Sequence, residues 1–97
     1  MSIDYYDKQG KPLERGEYFD LLAKIDRDYK RVAVTEVGDV RISTVWLGLD
    51  HGYDGEVLIF ETMQFGGQGD QDCERYSTLE EAEEGHAAWV KRIREGE

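Results

Sequence analysis

A chain of 97 residues favours a single compact domain, residues 1–97, with a modest core. Its 35% charged residues make it polar, but two Trp, six Tyr and three Phe supply enough apolar bulk to exclude a disordered chain. The net charge of −10 argues against direct binding to nucleic acid, and a lone cysteine, Cys73, excludes a disulfide framework. No apolar run approaches the roughly 18 residues of a membrane span. The start of the chain lacks the basic and apolar regions of a signal peptide, so a reducing cytoplasm is expected.

Along the chain, Ile3 to Asp7 reads as a short strand and Lys8 to Lys11 as a turn ahead of Pro12. Tyr18, Leu21, Leu22, Ile25 and Tyr29 recur at helical spacing, predicting a helix over Glu14 to Tyr29. Asp26 and Asp28 sit poorly near a helix C-terminus and argue for an end near Ile25. Arg31 to Val37 and Val40 to Leu49 are rich in Val, Ile, Thr and Trp, which predicts two strands. Gly38-Asp39 suits a two-residue hairpin turn, and that register sets Glu36 opposite Arg41. One hairpin face then carries Ala33, Val37, Val40, Ile42 and Trp46. The other carries Val32, Val34, Val45 and Leu47, interrupted by Glu36, Arg41 and Ser43. With both faces partly apolar, the hairpin is either covered on both sides or part of an interface.

Glu56 to Phe65 reads as a third strand, central because Val57 to Phe60 is apolar on both faces. A Gly-rich segment, residues 66–72, leads to a short fourth strand over Cys73 to Tyr76. Ser77 and Glu80 form a capping box that opens a last helix running to about Arg94. Leu79, Ala82, His86, Trp89, Val90 and Ile93 share its inner face. The expected fold is α+β: an antiparallel sheet of three to four strands with two helices packed against it.

The charge is unevenly placed. Residues 50–84 hold eleven acids against one base, Arg75, and so carry the whole net charge; the remainder balances at eleven of each. If the fourth strand is antiparallel, the Asp50 loop and the start of the last helix share one end of the sheet. Asp50, Asp54, Glu56, Glu80, Glu81, Glu83 and Glu84 would then form one acidic patch, suited to a basic protein surface. Glu80 and its neighbours also complement the helix dipole, so part of the cluster has a purely structural reading.

Several short blocks carry a family resemblance. They are Ser43-Thr44-Val45-Trp46-Leu47-Gly48-Leu49-Asp50-His51, Leu58-Ile59-Phe60-Glu61-Thr62-Met63, Phe65-Gly66-Gly67, Glu74-Arg75-Tyr76-Ser77-Thr78, Glu81-Ala82 and Gly85-His86. Over roughly residues 32–90 the chain resembles a family of small uncharacterised proteins encoded by bacteriophages and prophages. The resemblance implies a viral setting inside a bacterial host cell. It brings no activity and no catalytic residues.

Candidate chemistry is sparse. Asp50, His51, Asp54 and Glu56 offer oxygen and imidazole donors in one loop, but no zinc spacing, and a polar hairpin loop is the simpler reading. Asp70, Asp72 and Glu74 lack the glycine and terminal glutamate of a calcium loop. They lie a strand length from the Asp50 loop, on the order of 30 Å for ten residues, too far to share a metal. Glu61 could act as a general acid or base, or pair with an arginine across the sheet. His86 could join His51 or Glu61 as a base or ligand, or serve as a hydrogen-bonded core histidine. Cys73 between Asp72 and Glu74 is in an electronegative setting unsuited to a nucleophile. No nucleophile elbow, phosphate loop or cofactor motif is present.

The expected function is a non-enzymatic protein-binding module of phage type. It would act on a basic surface of a bacterial host protein, in the sharper form as a nucleic-acid mimic that inhibits a nucleic-acid-binding or defence protein. A virion structural or assembly protein, using the hairpin in a homo-oligomer, is one alternative. A small metal-dependent enzyme built on Asp50, His51, Glu61 and His86 is the other.

Overall fold

The computed structural model describes residues 4–50, 52 and 55–96. Asp7 makes the first turn. Its Oδ1 accepts from the amides of Gln9 (3.0 Å) and Lys11 (2.8 Å), reversing the chain. Strands β1 (Tyr5–Tyr6) and β2 (Pro12–Leu13) pair antiparallel on either side of it. Helix α1 (Arg15–Lys24) follows and ends where Ile25 takes extended backbone. Asp26 then accepts the Tyr29 amide at Oδ1 (3.2 Å) and caps a separate short helix, α2 (Arg27–Lys30). The helical spacing over Glu14 to Tyr29 thus stops at Ile25, the end that Asp26 and Asp28 argued for, because an aspartate side chain competes for a backbone amide there. Its apolar positions still work together: Tyr18, Leu21, Leu22, Ile25 and Tyr29 all join one core cluster.

Strands β3 (Arg31–Val37) and β4 (Val40–Trp46) form the predicted hairpin. Gly38 takes a positive φ of 58°, and Glu36 lies opposite Arg41 as the turn dictates. A bulge between Arg31 and Ala33 breaks the alternation. It brings Val32, expected on the far face with Val34, into the cluster that holds Trp46. Strands β5 (Phe60–Phe65) and β6 (Cys73–Tyr76) complete an antiparallel sheet in the order β3-β4-β5-β6. The central position expected of the third strand is therefore correct. Its start is not: residues 56–59 lie outside the strand, and the Leu58 amide bonds to Asp50 Oδ1 (3.1 Å) rather than to a neighbouring strand. The fourth strand is antiparallel, pairing Phe60 with Tyr76.

Helix α3 (Leu79–Arg94) crosses one face of the sheet and buries Ala82, His86, Trp89 and Val90. Its N-cap is Thr78 with Glu81 as the reciprocal partner, one residue later than the predicted Ser77–Glu80 box. Both spacings satisfy the motif. β6 decides between them by holding Tyr76 in the ladder, its carbonyl accepting from Ile59 (3.0 Å), so the extended N-cap falls on Thr78. Beneath α3 lie two apolar clusters. Trp46, Ile59, Phe60, Tyr76 and Ala82 gather with Tyr18 at one end, and Ile42, Trp89 and Val90 at the other. Each fully buried Ile or Phe among them contributes roughly 1.5–3 kcal/mol.

The expected α+β fold, an antiparallel sheet of four strands with helices packed against it, is what the structure shows, with three helices among the described residues rather than two. Only α3 lies across it, while α1 packs on the β1–β2 hairpin and α2 beside β3. The N-terminal unit is tied to the end of the sheet by Tyr6 N to Gly48 O (2.8 Å) and by Tyr18 against Trp46. Gly48 is required there: its φ is 78°, and a Cβ would come within 2.6 Å of the Tyr18 ring. The shortest dimension of the fold is 20 Å, the thickness of one sheet and one helix layer. Its second sheet face carries no described helix.

Candidate functional site

The strand pairing decides which acidic residues share a neighbourhood. β4 ends at Trp46, β5 begins opposite it at Phe60, and β6 ends opposite Phe60 at Tyr76. The segments leaving β4, entering β5 and leading into α3 therefore all emerge at one end of the sheet. Asp50, Glu56 and the first turns of α3, with Glu80, Glu81, Glu83 and Glu84, belong to this end. Asp54 and His51 lie outside the described residues.

These carboxylates are not equivalent. Asp50 is half-buried, and its Oδ1 accepts from the amides of Gly52 (2.7 Å) and Leu58 (3.1 Å), so it shapes the loop. Glu81 is exposed, but its Oε1 accepts from the amides of Ser77 and Thr78 (both 3.2 Å) and closes the helix start. Glu56, Glu80, Glu83 and Glu84 are exposed and make no side-chain bonds among the described residues. Glu80, Glu83 and Glu84 fall at i, i+3 and i+4 and stand on one outward helix face. Glu80 sits in the first turn of α3, where the dipole favours it. Glu83 and Glu84 lie beyond that turn, where the dipole has faded, and Glu84 lies four residues from its like-charged neighbour Glu80.

The other acidic residues lie elsewhere. Asp70 Oδ1 accepts the Gly66 amide (2.7 Å) in the β5–β6 connection at the opposite end of the sheet. Glu74 Oε1 accepts the Tyr76 hydroxyl (3.0 Å). Burial is the main influence raising the Tyr76 phenol above its ordinary pKa. Glu61 accepts from Arg75 Nε (3.1 Å) across the strand pair, the second of its two anticipated roles.

His86 is a core histidine, 6% exposed. Its Nδ1 lies 2.8 Å from Thr44 Oγ1 and its Nε2 2.9 Å from Thr35 Oγ1, and Thr44 bonds onward to Thr62. Burial holds its imidazole below the ordinary pKa. A neutral imidazole donates through one nitrogen and accepts through the other, so the threonine hydroxyls satisfy both. Glu61 and His86 do not converge. Glu61 neighbours the buried Phe60 and Thr62 in β5, and strand alternation sends it to the face opposite α3. Among the described residues no three His, Cys, Asp or Glu side chains gather where a metal ion could be held.

The threonine–histidine chain was not read from the sequence. Thr35, Thr44 and Thr62 do occupy inward positions by alternation, but only the placement of α3 shows that His86 meets Thr35 and Thr44. A second polar bridge, Trp89 Nε1 to Gln64 Oε1 (2.8 Å), was hidden for the same reason. No helix among the described residues is long and apolar enough to cross a membrane. The chain matches no protein-family model, no curated protein and no solved structure.

Proposed function

We propose that this chain is a non-enzymatic protein-binding module that docks its acidic end on a basic surface of another protein. The observation that carries the reading is the position of Glu83 and Glu84. They stand on the outward face of α3 with Glu80, beyond the reach of the helix dipole, in a stretch that holds the chain's whole net charge. Like charges at this spacing cost a helix about 0.2–0.5 kcal/mol per pair. Neither capping nor dipole compensation accounts for keeping all of them, and a basic partner does.

Helix neighbours at i, i+3 and i+4 have Cβ atoms about 5–6 Å apart, so their carboxylates form a row of negative charge within reach of the spacing of phosphates on a nucleic-acid strand. The partner class is accordingly a protein that binds nucleic acid through Lys and Arg, and the module inhibits it by occupying that surface. The resemblance to phage-encoded proteins supports a setting in the cytoplasm of a bacterial host, with a host defence protein among the targets.

Tagged protein incubated with bacterial lysate, washed at low and at high salt, tests the reading. It predicts capture of a basic nucleic-acid-binding protein that is released by high salt and by added double-stranded DNA. Capture that neither salt nor DNA weakens would contradict it.

A further inference from the structure

We infer that a one-way hydrogen-bond relay crosses the sheet beneath α3, through which the carboxylate of Glu74 decides which nitrogen of His86 carries the proton. All four strands contribute to it. Thr35 Oγ1 lies 2.9 Å from His86 Nε2, and Thr44 Oγ1 lies 2.8 Å from His86 Nδ1. Thr44 bonds to Thr62, Thr62 to the Tyr76 phenol, and that phenol to Glu74 Oε1 at 3.0 Å. Thr35 stands on β3, Thr44 on β4, Thr62 on β5, and Tyr76 and Glu74 on β6. The register brings them together, pairing Thr44 with Thr62 and Thr62 with Glu74.

The direction follows from counting hydrogens. A carboxylate only accepts, so Tyr76 gives its single hydroxyl hydrogen to Glu74. The phenol oxygen can then only accept from Thr62. Thr62, with its own hydrogen given, accepts from Thr44, and Thr44 in turn accepts from His86. His86 Nδ1 must therefore carry a hydrogen. A neutral imidazole then leaves Nε2 as an acceptor, and Thr35 donates to it. The phenol carries the marks of this order. Burial raises its pKa most; of its two bonds, the one with Thr62 lowers it and the one with Glu74 raises it, the signs of a donor and an acceptor. With every donor pointing the same way, each bond polarises the next.

Glu74 is exposed on an edge strand and His86 is buried, so the relay carries the state of a surface group into the core. It also sets where His86 takes a second proton. Nδ1 is already a donor, so Nε2 gains it. Beside Thr35 and His86 opens a cavity of about 520 Å³, roomy enough for the water that delivers a proton. Thr35 is half-buried, and its hydroxyl can turn from donor to acceptor while the rest of the relay keeps its order. Among the described residues, the groups that meet His86 from β3 and β4 are hydroxyls. The charged groups at the cavity, Lys91, Arg94 and Glu95, come from its own helix and the turn that ends it.

Nitrogen-15 NMR of the imidazoles in the intact chain at about pH 7.5 tests this, with His86 identified by the signal that H86Q loses. Nδ1 should show the shift of an N–H nitrogen and Nε2 that of a bare one. As the pH is lowered, Nε2 should move to the N–H value while Nδ1 stays near its place. Glu74→Lys replaces the terminal acceptor with a donor, and Tyr76→Phe cuts the relay while keeping the ring in the core. An unconstrained imidazole favours the hydrogen on Nε2, so both variants should move Nδ1 towards the bare value and Nε2 towards the N–H value. Glu80→Lys makes the same charge change away from the relay and should leave both shifts in place. Circular dichroism matching the parent qualifies each variant. A parent histidine with its hydrogen on Nε2, a parent tautomer kept in full by both E74K and Y76F, or an E80K shift as large as that of E74K would overturn the inference.

Discussion

Thr78 and Glu81 bond to each other twice at the start of α3. The Glu81 amide donates to Thr78 Oγ1 (3.1 Å), and the Thr78 amide donates to Glu81 Oε1 (3.2 Å). This reciprocity separates Glu81 from the glutamates around it, because its charge is already committed to backbone donors that would otherwise be unsatisfied. Thr78→Ala should lower the unfolding free energy by about 1 kcal/mol, and Glu81→Lys by at least as much. Glu83→Lys and Glu84→Lys should each stay within about 0.5 kcal/mol of the parent. Urea denaturation followed by circular dichroism separates the two groups. Equal losses at all four positions would show that the cap does not single out Glu81.

His86 makes stability depend on pH in a stated direction. Burial depresses its folded pKa below the ordinary value of 6.5, so the unfolded chain binds the proton more readily. The contribution is fully present above the ordinary value and is lost as pH falls through the folded one. Urea midpoints should therefore fall between about pH 7.5 and pH 5.5, above the range where carboxylates titrate. His86→Gln retains hydrogen-bonding groups but cannot titrate, so it should flatten this slope even if it lowers stability overall. A slope that survives in H86Q would assign the effect to another group.

Two helical glycines should respond in opposite ways. A Cβ at Gly85 would overlap the Tyr76 ring, and that ring is held by the core and by Glu74. Gly85→Ala should destabilise by about 1–3 kcal/mol despite alanine's better helix propensity. At Gly16 a Cβ meets nothing within 4 Å. Gly16→Ala should stabilise by about 0.4–1 kcal/mol. Thermal melts of the two variants check both signs.

The features that were legible in the sequence are those fixed by local chemistry. Gly38-Asp39 determined the Glu36–Arg41 register, and the spacing from Leu79 to Ile93 gave the buried face of α3. The apolar run into Phe60 correctly marked an internal strand. What escaped depended on competition or on distant partners. Two overlapping capping boxes could be told apart only through the pairing of Tyr76, and the helix end near Ile25 was legible but not the second short helix that Asp26 caps. Asp50 drew Leu58 out of the strand through a bond across eight residues. For the candidate site, the sequence supplied the charge and the antiparallel pairing placed it. It did not reveal that the Asp50 and Glu81 carboxylates are bonded to backbone amides while those of Glu80, Glu83 and Glu84 are not.

That distinction defines the most direct test of the acidic end as a docking surface. A triple variant, Glu80→Lys, Glu83→Lys and Glu84→Lys, leaves the Thr78–Glu81 cap in place and reverses only the outward face of α3. The measurement is a side-by-side capture from bacterial lysate with the parent and the triple variant as bait, after circular dichroism has shown the same fold. The account predicts that a basic protein held by the parent is absent from the variant. The same protein held equally by both baits would contradict it.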